Sequence, residues 1–252
     1  WMWQYAGTAT VDKEAEVSLH DLTGFDGRCD ALWFTTDKDD IPPTEAGALE
    51  TFRQRYDKSR IRHVEYDFVV VGGGIAGICA SVAAARMGIK VALINDRPIW
   101  GGCNSSETRV RLGGHIEMEP YPNLGNMIKE FGPLRIGNAQ PAEFYEDEKK
   151  RVFLEAEKEH LDLYPSYRVY KTDCRNGKIT AVYARHIESG EIVRFQAPIY
   201  SDCTGDGTVG YLAGADFAMG REGRNEYNEP SAPQNGDKMT MGASVQWYSV
   251  ED

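Results

Sequence analysis

The glycines at 72, 74 and 77 form the pattern GxGxxG, a spacing that suits a chain turning sharply beneath a phosphate group. Gly72 would permit the tight turn, Gly74 a close backbone approach to a pyrophosphate, and Gly77 the packing of a following helix on the preceding strand. The first helical residues, Ile75 and Ala76, would present N–H groups to the anion at the positive end of the helix. A bare glycine pattern is weak, and this one gains force from its setting. The apolar run DFVVV precedes it, a small-residue helical stretch follows, and a second apolar run, VALI, arrives at the distance of a βαβ unit. Dinucleotide binding is therefore preferred over a structural glycine turn.

The second strand of such a unit commonly ends in an acid that holds a ribose hydroxyl, but Asn95 stands there, followed by Asp96 and Arg97. An amide can still accept from a hydroxyl, so Asn95→Asp is expected to be tolerated, and Asp96 is within reach of the same group. Arg97 is a candidate partner for a 2′-phosphate if the nucleotide is NADP. Further glycine-bearing stretches follow, GG at 101–102 and DCTGDG at 202–207. Taken alone, TGDG reads as a tight turn before a helix. Arg109, Arg111 and His115 lie in the polar loop after GGCNSSE, and His115 is a candidate base for a hydroxyl proton. Arg221 and Arg224 would clamp an anion or pair with Glu222 and Glu226, the second reading being favoured.

Five scattered cysteines, with no CxxC and no HxxxH, argue against a structural zinc site, so no metal is assigned. Cys79 and Cys203 sit in apolar contexts as small core residues.

The elements that must position these groups follow from texture. Two apolar runs, VSLHDL at 17–22 and ALWFTT at 31–36, read as strands, and Thr44 can cap a helix reaching about Arg55. After the βαβ unit, residues 98–138 read as a long loop. Pro141 opens a helix to about His160 with Tyr145, Val152 and Ala156 on one face. LDLYPSYRVYK, KITAVYARH and EIVRFQA then form a β-meander, and PIYSDCTG leads into the helical TVGYLAGA. With 28 basic against 39 acidic residues, the net charge of -11 disfavours nucleic acid as a partner. No apolar run is long enough to span a bilayer, and the compartment stays open.

RPIWGGCNSSETRV resembles the RPxxGGxxSSExRV segment of a bacterial family of FAD-dependent oxidoreductases with a glutathione-reductase-like fold. TGDGTVGYLAGADFAMGREGRNEYNE is similar to the same family, and FDGRCDALWFTTD resembles the last strands of an appended sandwich like a carbohydrate-binding module. The resemblance implies FAD as cofactor. It places Gly101, Gly102 and Cys103 along the pyrophosphate and flavin edge, Val169 where the backbone meets adenine, and Gly205 and Asp206 in a second FAD contact. No flavin-side CxxxxC is present, since Thr108 stands five residues beyond Cys103.

The expected fold class is α/β, a Rossmann-like FAD-binding fold with a three-stranded β-meander, preceded by a remnant of an all-β sandwich. The expected layout is a sandwich tail at 1–40, a linker at 41–64, an FAD-binding domain at 65–216 with its meander at about 161–197, and a truncated substrate domain at 217–252. The expected function is hydride transfer between flavin and a hydroxylated, sugar-related small molecule, with His115 and Arg109 as catalytic candidates and an unidentified electron acceptor. The rivals are a fumarate-reductase-like ene reductase and a non-catalytic nucleotide-binding or carbohydrate-recognition protein. The chain is expected to be a fragment.

Overall fold

A computed structural model describes residues 3–18, 20, 31–56, 61–114, 117–132, 137–242 and 249. Its contacts divide the chain into two compact units, Trp1–Lys58 and Ser59–Asp252.

In the first unit, residues 31–36 form no strand, although their composition suggested one. An extended run needs a hydrogen-bonded neighbour to become a strand, and no strand lies among the described residues of this unit. Of the run at 17–22, Leu19, Asp21 and Leu22 lie outside the described residues, as does the whole of 23–30. Among the described residues of this unit, Trp3 Nε1 donates to the Pro43 carbonyl at 3.2 Å. Trp33 packs edge-on against Phe52, ring centroids 5.0 Å apart, and its indole Nε1 donates to the Asp40 carbonyl at 2.9 Å. Phe52 belongs to α1 (Ala46–Tyr56). Glu45, rather than the expected Thr44, caps this helix, its carboxylate accepting from Gly47 N at 3.0 Å and Ala48 N at 2.7 Å. These two backbone donors hold the Glu45 carboxyl below the usual range.

The second unit contains two four-stranded sheets. Its strands are β1 (Arg62–Glu65), β2 (Phe68–Val71), β3 (Val91–Ile94), β4 (Leu161–Tyr164), β5 (Tyr167–Arg175), β6 (Lys178–His186), β7 (Ile192–Gln196) and β8 (Ile199–Asp202). Its helices are α2 (Ile75–Arg86), α3 (Ile128–Phe131), α4 (Asp147–Glu155), α5 (Thr208–Leu212) and α6 (Arg224–Tyr227). One sheet is parallel, in the order β4-β3-β2-β8, and the other runs β1-β7-β6-β5.

The parallel sheet is apolar along its centre because both faces are covered. Val69, Val71, Ala92 and Ile94 point into a core shared with Val182, Val193 and Phe195 of the second sheet. Their alternates Val70, Val91 and Leu93 point the other way, onto Ile78 and Val82 of α2 and Phe153 and Leu154 of α4. The period of two in side-chain direction thus sorts each strand between two cores. The result is a helix layer, a parallel sheet and an antiparallel-rich sheet, an α/β dinucleotide-type fold.

Three elements differ from the sequence expectation. The run LDLYPSYRVYK is two strands, because the turn at Pro165–Ser166 sends β4 into the parallel sheet beside β3 and β5 into the meander beside β6. β1, expected as linker, pairs in parallel with β7 and is part of the second sheet. The helix after Pro141 is broken: a 3-10 turn (Ala142–Tyr145) is followed by Glu146 at φ 49° and then by α4. That left-handed residue rephases the faces, so Phe153 and Leu154 are buried while Val152 is exposed. Among the described residues no helix is long and apolar enough to cross a membrane.

Candidate cofactor site

The turn after β2 is built by close approach. A Cβ on Gly72 would run into the Cys203 carbonyl just beyond β8, and one on Gly77 would run into the Gly72 carbonyl. Two of the three motif glycines are therefore required by backbone packing. Gly74 differs. It caps α2 with no side-chain hydrogen bond, and a Cβ there would meet nothing within 4 Å. The N-terminus of a twelve-residue helix therefore opens to space at the residue expected to face a pyrophosphate. The residues present fit a dinucleotide: the opening is at Gly74, and the first helical N–H groups, at Ile75 and Ala76, border it.

Gly73, the unassigned position of the motif, is equally constrained. A Cβ would stand 2.6 Å from both Asn95 Cγ and Trp100 Cε3. Sequence reasoning missed both Gly73 and Trp100; the signal for Gly73 was its place as the middle glycine of GGG at 72–74. Asn95 is buried, and its side chain is committed inward. Its Oδ1 accepts from Gly73 N at 3.1 Å, and its Nδ2 donates to the carbonyls of Arg97 and Ile99, each at 2.9 Å. The geometry thus gives Asn95 the task of tying the glycine turn to the segment after β3. Asp96, next in the chain, is exposed. Arg97 is exposed and pairs with Glu107 at 3.3 Å.

The second glycine pair docks on the first. Gly101 donates its N–H to the Gly73 carbonyl at 2.8 Å and forms a parallel bridge with Gly74. Its φ of 120° lies where side chains are strained. A Cβ on Gly102 would stand 3.1 Å from Gly74 Cα. Cys103 is exposed in the 3-10 turn Gly102–Asn104. Asn104 donates from Nδ2 to the Val110 carbonyl at 2.9 Å, while its buried Oδ1 has no hydrogen-bond partner. An orphaned acceptor in this turn is a further feature that a bound cofactor or water would answer.

The loop continues through Ser106, whose N–H and hydroxyl both donate to Asp147, to Arg109. Arg109 has φ 61°, unusual for a non-glycine residue. It is held there from several sides: its N–H donates to the Ser105 carbonyl at 2.8 Å, its Nε to the Ser106 carbonyl at 3.0 Å, and its own carbonyl accepts from Tyr145 Oη at 2.5 Å. His115 lies outside the described residues.

Beside the glycine turn, at the end of β8 next to β2, Asp202 organises the DCTGDG turn. Its Oδ1 accepts from Thr204 N at 3.1 Å and Thr204 Oγ1 at 2.7 Å, and its Oδ2 from Gly210 N at 3.0 Å. Partial burial works against its charge, but these donors and Val209 N prevail and hold its carboxyl below the usual range. Gly205 and Asp206 are both exposed in the turn so formed. Val169 lies in β5, the terminal strand of its sheet, with its side chain in the core beside Ala184. Arg221 pairs with Asp237 rather than Glu222, and Glu226 accepts from Gly223 N, so the expected local pairs do not form.

A family model described as FAD dependent oxidoreductase matches residues 67–251. An aerobic glycerol-3-phosphate dehydrogenase of Staphylococcus aureus is 39% identical over 67 residues, which is 27% of this chain and 12% of that protein. The chain therefore matches only a small part of that relative's length. Among solved structures, a geranylgeranyl bacteriochlorophyll reductase-like protein from Thermoplasma acidophilum is similar at 21% identity and a TM-score of 0.44, over 63% of this chain and 45% of that one. AlpK is similar at 16% identity and a TM-score of 0.46, over 62% and 35%.

Proposed function

The chain belongs to the FAD dependent oxidoreductase family, and from that premise we propose that the whole protein oxidises a hydroxylated small molecule, with sugars and related polyols as the substrate class. The observation that carries the reading is the open, uncapped helix start at Gly74, framed by glycines that admit no side chain.

When bound, FAD supplies the acceptor for a hydride. Gly74, Ile75 and Ala76, together with Gly101, Gly102 and Cys103, would hold its pyrophosphate. Gly77 keeps α2 close enough for the helix end to act. Asp96 takes the ribose role, because the Asn95 side chain is turned to the backbone of its own loop. Gly205 and Asp206 form the second contact, set in place by Asp202. The backbone of Val169 would meet adenine. His115 would take the substrate hydroxyl proton, and Arg109 would orient the substrate.

The name of the Staphylococcus aureus relative supports a polyol-like substrate, since glycerol 3-phosphate is a small hydroxylated compound. The test is anaerobic titration of the full-length, FAD-loaded protein with a panel of sugars and polyols that includes glycerol 3-phosphate. Loss of the oxidised flavin spectrum with one member is expected. An unchanged spectrum across the panel would overturn the substrate class, and failure to take up FAD would overturn the cofactor site.

A further inference from the structure

Among the fully buried large side chains is a cation, Lys150 of α4. A buried ammonium is costly unless charged or polar groups answer it. Its Nζ donates to the main-chain carbonyl of Tyr145. Burial pushes its pKa down, while the neighbouring carboxylates Asp147 and Glu146 favour the charged form.

The place of this lysine is informative. A Cβ on Gly101 would stand 3.1 Å from both Cδ and Cε of Lys150. Gly101 in turn bridges Gly74, the residue that opens to the pyrophosphate position. The lysine stem therefore packs on the back of the cradle, with the ammonium one bond beyond Cε.

We propose that Lys150 is a positioning residue of the cofactor site, holding Gly101 in its turn and acting with its positive charge on the pyrophosphate from behind the Gly74–Gly101 bridge. This rests on the reading of the cradle as an FAD site. A charge in a dry interior acts over a few ångströms far more strongly than one in water, so a lysine that never touches the ligand can still favour an anion there. The exposed neighbour Lys149, which pairs with Glu146 at 3.2 Å, is the natural contrast, because solvent screens it.

The experiment compares binding of FAD, ADP and adenosine to apoprotein of the full-length chain in wild type, Lys150→Met and Lys149→Met. Lys150→Met should weaken FAD and ADP by about tenfold and leave adenosine within about twofold, as expected for loss of one poorly screened charge facing phosphates. Lys149→Met should change none of the three. Wild-type affinity for ADP in Lys150→Met, or equal weakening of adenosine, would overturn the proposal. Wild-type protein that binds no FAD would instead bring down the cofactor reading, and the proposal with it. If Lys150→Met does not fold, the unaltered protein decides: the solvent-protected ammonium 15N resonance of its buried lysine should move on adding ADP and stay in place with adenosine. A resonance unmoved by ADP would overturn the proposal.

Discussion

The two ends of the candidate site are built in different ways. At the Gly72–Gly77 turn the backbone is packed so closely that side chains at 72, 73 and 77 would collide with Cys203, with Asn95 and Trp100, and with Gly72 itself. At the Asp202–Thr208 turn, Cβ atoms on Gly205 and Gly207 would meet nothing within 4 Å, and a carboxylate with its hydrogen-bond donors holds the shape. The first turn is fixed by exclusion of volume and the second by directed polar contacts. A site of the first kind fails abruptly when a methyl group is added, whereas one of the second kind loosens by degrees when an acceptor is removed.

The largest expected effect comes from adding volume to the first turn. Gly77→Ala places a methyl group against the Gly72 carbonyl, and neither backbone can yield without separating α2 from β2. We predict destabilisation of more than about 3 kcal/mol, read as a large drop in the denaturant midpoint. A variant as stable as wild type would break the contrast at its stronger end.

Asn95→Asp comes next, and the structure reverses the tolerance expected from sequence. The new carboxylate would face the carbonyls of Arg97 and Ile99, which now receive amide N–H bonds. A loss of about 2–3 kcal/mol is expected from a buried acceptor set against acceptors. A melting temperature matching wild type would show that the residue reaches solvent or cofactor instead.

A gentler loss is predicted at the second turn, about 1–2 kcal/mol for Asp202→Ala at neutral pH. The folded-state pKa of Asp202 is lowered, so its contribution is present above the ordinary aspartate value and disappears as pH falls through the lowered value. Wild type and variant should therefore differ in urea midpoint at pH 7 and converge in strong acid. A constant gap down to the lowest pH at which both fold would contradict the role given to the carboxylate. The smallest effect belongs to Cys103→Ser, an exposed change expected to leave the melting temperature unchanged and stability within about 0.5 kcal/mol.

Much of this was legible in sequence. The strand, glycine turn and helix at 68–86 declare themselves because spacing, small residues and apolar periodicity agree. The meander was visible from its turns, but the Pro165–Ser166 junction hid a change of sheet, since one apolar run cannot reveal which neighbour each half will find. The face of α4 was misread because Glu146 adopts a left-handed conformation that no residue type announced. Asn95 looked like a ribose ligand because its position in the chain is the ribose position, and only the third dimension shows its side chain turned to backbone. Lys150 carried no motif, and Trp100 and Asp202 stood inside quoted stretches without a role assigned to them. Their importance arises from contacts made across 49, 27 and 2–8 residues of sequence, to Gly101, Gly73 and the Thr204–Gly210 turn.

The central claim is that the Gly72–Gly77 turn receives the FAD pyrophosphate, and Gly74→Val tests it most directly. A Cβ at that position meets no protein atom, so the fold has room for the change while the space for the phosphates is filled. The measurement is flavin absorbance per protein in purified, full-length wild type and variant, beside their apoprotein melting temperatures. The account predicts near-equal melting temperatures with flavin lost from Gly74→Val. Undiminished flavin in a well-folded variant would contradict it.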